Sequence, residues 1–154
     1  MSETVITAEP GSPYITISRD FDAPAALLLR AYTEPDLVAQ WLGPRRLTMK
    51  VDHWDAHGYR YLHVDADGSE YAFRGVFHGT PSLEDGLVQT FEFEGAPGEI
   101  ALERVRFEEK DGRTTVRSVS VGFSVEGRDA MIASGMEHGI RDSYDRLAEL
   151  LAKL

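Results

Sequence analysis

Several groups of residues in this chain are of types that could do chemistry. His53, Asp55 and His57 set imidazole, carboxylate and imidazole at alternate positions, a donor set that suits zinc if an extended strand turns all three the same way. Gly58 follows at once, so the backbone is already turning, and the run reads better as the approach to a hairpin. Asp65, Asp67 and Gly68 resemble the start of a calcium loop, but no closing glutamate stands at the required spacing. Asp and Gly together are what a tight turn needs. No metal site and no cofactor is expected. His63, Arg117, His138 and Asp142 are the polar residues to consider for acid–base work, which needs a titratable group whose pKa burial has moved toward neutrality. Each is more commonly a surface or hydrogen-bonded residue than a catalyst.

The remaining group is apolar. Trp41, Met49, Trp54, Tyr71, Phe73, Phe77, Phe91, Phe93, Met131, Met136 and Ile140 supply rings and flexible thioethers, which adapt to irregular apolar ligands. A domain of this size also needs such side chains simply to fold. What favours a cavity is the company they keep near the C-terminus. Gly135, Gly139 and Ser143 recur every fourth residue, so the buried stripe of a helix there is expected to be thinned, with Gly139 and Ser143 at the ligand.

The elements that must position these residues follow from periodicity. From Gly127 to Leu154, apolar side chains at Ile132, Met136, Ile140, Leu147, Leu151 and Leu154 recur at three- and four-residue steps, which predicts one long amphipathic helix. Residues 1–12 are polar and are expected as a loose tail, and 13–154 as a single domain. Tyr14 to Phe21 alternates as a strand. Pro24 opens a short helix with Asp22 as its expected cap, ending near Thr33. A second short helix follows, with Thr33 and Asp36 as an approximate capping box and Gly43-Pro44 as its stop.

Between Arg46 and Phe123, turn signals at His57-Gly58, Asp65 to Gly68, Glu84 to Gly86, Ala96 to Gly98 and Asp111-Gly112 divide the chain into six strands. They are expected near 46–53, 58–65, 69–79, 87–94, 100–109 and 113–123, joined as an antiparallel meander because every connection is short. Tyr71, Phe73 and Phe77 should share one face, as should Phe91 and Phe93, both turned toward the helix. In the last two strands the two faces are chemically too alike to tell apart. The resulting architecture is α+β, with a curved sheet wrapped around a C-terminal helix.

That order and several strings resemble the helix-grip fold of the SRPBCC superfamily, also called START-like or Bet v-like. The strings are Phe21-Asp-Ala-Pro24, Thr33-Glu-Pro-Asp-Leu37, Trp41-Leu-Gly-Pro44, Tyr71-Ala-Phe-Arg-Gly-Val-Phe77, Phe91-Glu-Phe93, Gly135-Met-Glu-His-Gly139 and Tyr144-Asp-Arg-Leu147. Within the superfamily the chain is most similar to the AHSA-type branch, the homologues of the activator of the heat-shock-protein ATPase. The resemblance implies an apolar pocket between helix and sheet, in a family whose members range from lipid and hormone carriers to polyketide cyclases. The extra N-terminal domain of the eukaryotic activators has no counterpart in this sequence, so a chaperone partner is only weakly implied. The resemblance predicts shape better than chemistry.

Composition narrows the function classes. Sixteen Lys and Arg against 26 Asp and Glu give a formal charge of −10, which repels phosphate backbones and anionic lipid, so no nucleic acid is expected as partner. There is no cysteine, hence no disulfide or thiolate chemistry. No basic-then-apolar leader opens the chain and no apolar run reaches membrane-spanning length, so no membrane insertion and a cytoplasmic location are expected. Gly-x-Ser-x-Gly elbows, phosphate loops and dinucleotide fingerprints are missing.

The leading expectation is a domain that binds a small hydrophobic or amphipathic molecule between the C-terminal helix and the sheet. One alternative is a cyclase- or dehydratase-type enzyme using the same pocket. Another is a protein-interaction module acting through its outer surface. A homodimer is compatible with the sequence and not required by it.

Overall fold

The computed structural model describes residues 2–154. The elements run β1 (Val5–Thr7), β2 (Tyr14–Phe21), α1 (Ala25–Thr33), α2 (Pro35–Val38), β3 (Thr48–Trp54), β4 (Gly58–Val64), β5 (Glu70–Ser82), β6 (Gly86–Phe93), β7 (Ile100–Lys110), β8 (Arg113–Val121), α3 (Val125–Ala133) and α4 (Met136–Leu151). All eight strands form one antiparallel sheet in the order β1-β2-β8-β7-β6-β5-β4-β3, so the meander β3 to β8 is extended by the two N-terminal strands and the sheet does not close. This is the expected α+β helix-grip architecture. Its short connections work as anticipated: Asp111 at φ 54° and Gly112 at φ 77° carry the left-handed turn between β7 and β8.

Four local expectations are corrected. Residues 1–12 are not loose throughout, because Val5–Thr7 pair with Thr16–Ser18 and form an additional edge strand. The C-terminal helix is not continuous. α3 ends where Gly135 takes φ 90°, its N–H donating to the Ile132 carbonyl at 3.1 Å, and α4 starts afresh at Met136. The Gly at this position, expected to thin one helix, instead separates two. Asp22 does not cap α1: the Ala25 N–H donates to Glu109 Oε1 at 2.7 Å, so a carboxylate from the distant strand β7 does that work. Nor does Thr33 cap α2, since its hydroxyl donates back to the Leu29 carbonyl at 2.7 Å.

Packing divides into two clusters. The larger gathers Ile15, Phe21, Leu28, Val116, Leu147 and Leu151 with α1 and the second half of α4; the smaller joins Val38, Met49, Tyr59 and Tyr61 beneath α2. Leu42 and Phe77 pack against both and link them. Among the described residues no helix is long and apolar enough to cross a membrane.

Candidate functional site

Strand pleat and register together decide what lies under the helices. Alternate residues of a strand face one way, and cross-strand partners sit side by side. The ladder aligns Tyr61 with Phe73 and Phe73 with Phe93; Tyr61 stacks on Phe73 at 5.2 Å and Phe73 on Phe91 at 5.4 Å, while Phe93 lies tilted against Phe73 at 5.1 Å between centroids. A neighbouring row aligns Phe77 with Gln89, Gln89 with Glu103, and Glu103 with Ser120. An aromatic wall thus abuts a polar row on the same face.

The polar row centres on one carboxyl. Gln89 Nε2 donates to Glu103 Oε1 at 3.1 Å, and the Ser120 hydroxyl also bonds this carboxyl. Burial pushes the Glu103 pKa up, and the two hydrogen bonds only partly offset that rise. Four tyrosines lie close enough for the Glu103 charge to raise their own pKa values, although burial is the main cause for each: Tyr32 on α1, Tyr59 and Tyr61 on β4, and Tyr144 on α4. Tyr144 is pushed up to about 12. All four therefore stay protonated donors near neutrality.

Their hydroxyls are held differently. Tyr59 crosses Gly75, where an added Cβ would lie 2.6 Å from Tyr59 Oη, and donates to the Thr90 carbonyl at 2.8 Å. Tyr32 and Tyr144 bond each other at 3.3 Å. Tyr61 Oη has no hydrogen-bond partner among the described residues. It retains accessible surface.

The residues anticipated from sequence are distributed as follows. Phe73, Phe77, Phe91 and Phe93 form the wall, with Met49 buried behind it and Trp54 against Tyr59 and Phe77 at 5.1 and 5.5 Å. Trp41 is buried in the main core, its indole N–H donating to the Ala31 carbonyl at 2.9 Å. Tyr71 reaches the sheet's far end and is 37% exposed. Met131, Met136 and Ile140 pack on the core from the helix side, each partly exposed.

Gly139 and Ser143 do not thin α4 above the sheet. They seat the loop after α2: a Cβ on Gly139 would meet Pro44 Cγ at 3.5 Å, and Ser143 Oγ accepts the Gly43 N–H at 2.7 Å. Arg146 donates to the Gly43 and Gln40 carbonyls, both at 3.0 Å. His63 completes this clamp from β4, its Nε2 3.2 Å from the Leu42 carbonyl; burial lowers its pKa, and the imidazole is a neutral donor here. The small side chains are there because backbone approaches the helix closely.

Three other polar candidates are on the surface. Arg117 pairs with Glu108 on the outer face, His138 lies 3.6 Å from Asp142, and Asp142 accepts the Arg45 N–H at 3.1 Å. Asp55 likewise builds a turn, accepting the N–H groups of His57 at 2.7 Å and Gly58 at 3.1 Å. Among the described residues no group of three or more His, Cys, Asp or Glu is arranged to hold a metal ion.

Glu103, Gln89, Ser120 and the four tyrosines were not singled out from sequence. The β7–β8 register, once known, places two of them. Counting back by twos from the Asp111-Gly112 turn through the apolar pair Phe107 and Val116 reaches Glu103 and Ser120 on the same inner face.

Comparison with known proteins agrees with this architecture. Residues 22–152 match the family described as Activator of Hsp90 ATPase homolog 1-like protein. The chain belongs to this family. A crystal structure from Rhodobacter sphaeroides superposes with a TM-score of 0.87 at 24% identity, covering 99% of this chain and 100% of that one. A solution structure from Arthrobacter aurescens gives 0.88 at 20% identity over 97% and 92% of the two chains. Protein Ms6760 from Mycobacterium smegmatis gives 0.85 at 19% identity over 97% of each. These likenesses establish the fold. No curated protein sequence matches significantly.

Proposed function

We propose that this AHSA-type domain binds a small amphipathic molecule between the aromatic wall and the helices α3 and α4. One observation carries the reading. Glu103 keeps accessible surface although desolvation dominates its pKa, and Gln89, Phe73, Phe77 and Phe91 beside it are also only partly buried while facing inward. Inward-facing groups that are desolvated yet accessible line a space that is not bulk water. On the helix side, Met131, Met136 and Ile140 supply the flexible apolar cover such a ligand needs.

Entry is proposed beneath α3. A cleft of about 30 Å³ opens there between Ile15, Ala101, Ser120, Arg128 and Met131, with Phe123 at its rim 77% exposed. Ser120 belongs both to this cleft and to the hydrogen bonds of Glu103, which supports an approach to the polar row from this side once α3 moves outward. A neutral apolar fluorophore, N-phenyl-1-naphthylamine, tests the reading. It should gain fluorescence on titration, and Phe73→Ala should weaken its binding about tenfold while the variant stays folded. Equal binding by a folded Phe73→Ala protein would sink the proposal.

The same carboxyl favours a second reading, an enzyme of the cyclase or dehydratase type in which Glu103 moves the proton and Tyr61 steadies developing charge. Turnover of an enolisable polyketide-like substrate, lost in Glu103→Gln with binding retained, separates the enzyme from the carrier. A chaperone or other protein partner, a homodimer and a cytoplasmic location are compatible with the family and add nothing to this choice.

A further inference from the structure

The polar row also bears on which ligand chemistry the interior accepts. Glu103 receives hydrogen bonds from Gln89 and Ser120, and a carboxyl has up to four acceptor positions, so in either protonation state it can still accept one more hydrogen bond. Tyr61 Oη, on the adjoining strand pair, is the hydroxyl without a protein partner. Among the described residues no cation acts on either group. Arg19 bonds Asp145 at 2.7 Å while its buried Nε keeps no partner, Arg128 bonds Asp129 at 2.8 Å and the Tyr14 carbonyl at 3.0 Å, and Arg146 bonds loop carbonyls. His63 is the neutral donor of the loop clamp. A carboxylate or phosphate head entering this space would face a buried carboxyl with nothing positive to neutralise it.

We propose that the interior selects uncharged hydroxylated aromatics: a ring packed against the edges of Phe73 and Phe91, its hydroxyl hydrogen donated to Glu103 and its oxygen within reach of Tyr61. Fatty acids and other carboxylates are rejected. The stacking geometry supports the ring, since Tyr61, Phe73 and Phe91 lie face to face at 5.2 and 5.4 Å and so turn a row of ring edges inward, against which an aromatic ring can pack edge to face. The charge pattern supports the hydroxyl, because it adds a donor at a remaining acceptor position of Glu103, which a plain hydrocarbon cannot do, whereas an anion would be repelled there. This proposal rests on the internal binding site proposed above and specifies its occupant.

Three probes with one ring system decide it: naphthalene, 2-naphthol and 2-naphthoate, each titrated at neutral pH into the full chain and followed by backbone amide chemical shifts. 2-Naphthol should perturb Phe91, Glu103 and Ser120 and bind about tenfold tighter than the other two. Glu103→Met, which keeps the volume and removes the acceptor, should erase the advantage over naphthalene. Glu103→Gln, which removes only the charge, should bring 2-naphthoate closer to 2-naphthol. Should Glu103→Met fail to fold, the wild-type series and Glu103→Gln still give the answer. Equal affinities for all three probes would overturn the selectivity and leave the binding site standing. If none shifts an inward amide at millimolar concentration, the binding site itself is refuted, and the selectivity with it.

Discussion

From Ser143 to Leu151, α4 buries Ser143, Tyr144, Leu147, Leu150 and Leu151, whereas Met136 and Ile140 at its start, and Met131 and Ile132 on α3, stay partly exposed. The only fully buried residue of α3 is Arg128. The first region closes a core with Phe21, Leu28 and Val116; the second packs against the rim of that core without being sealed into it. Close packing on one side gives the sheet a fixed partner, and loose cover on the other leaves a side where local opening is cheapest. Tight and loose packing thus fall at opposite ends of the same helical segment, and the proposed binding belongs to the loose one, with Gly135 as the break between α3 and α4.

The sharpest way to break this contrast is a pair of truncations. Leu147→Ala empties a fully enclosed site and should cost about 3 kcal/mol in denaturant unfolding, whereas Met136→Ala should cost about 1 kcal/mol because its side chain is already half in the open. Equal losses would erase the distinction. Next comes the loop clamp that joins α4 to the wall. Gly43 has φ 102°, and a Cβ there would fall 2.5 Å from His63 Nε2, so Gly43→Ala should lower stability by about 2 kcal/mol. Ser143→Ala leaves the Gly43 N–H unpartnered and should lose about 1 kcal/mol.

A pH comparison sharpens the other side. The pKa of Glu103 is raised by burial, so the folded state holds its proton more tightly than the unfolded chain does. Its penalty is absent below the ordinary carboxylate range, grows as pH rises above that range, and levels off once Glu103 itself ionises. Glu103→Gln should therefore gain stability relative to the wild type as pH rises above the ordinary carboxylate range. The groups facing Glu103 are Gln89, Ser120 and tyrosines raised well clear of that range, so they cancel in the difference. Parallel unfolding curves would mean the carboxyl is solvated. At the small end, Arg117→Ala breaks a pair with Glu108 that is exposed on both sides, and no measurable change in unfolding is expected.

Strand boundaries were legible because turn chemistry is local. Each hairpin carries its own Gly or Asp, and the six anticipated strands fall within a few residues of β3 to β8. The aromatic wall was legible too, since alternation in β5 and β6 separates rings from charges: Arg74 pairs with Glu92 at 3.0 Å on the opposite face. The polar row was not. Leu102, Glu103 and Arg104 give no contrast by type, and Glu103 points inward only because the β7–β8 register makes it do so. Helix caps failed for a related reason: Ala25 is capped by Glu109, 84 residues away, which a local motif cannot reveal.

Taken alone, the sequence determined what depends on neighbours along the chain: the order of elements, the turns, the ring-bearing strand faces and the resemblance to a family. The tertiary structure decided what depends on approach across the chain. Gly139 and Ser143 are identical as small residues whether they face a hollow or a loop, and only the arrival of Gly43 and Pro44 settles which. Glu103 is an ordinary glutamate until three strands and four tyrosines remove its water. Spacing reports periodicity, whereas burial and close approach are properties of the packed chain.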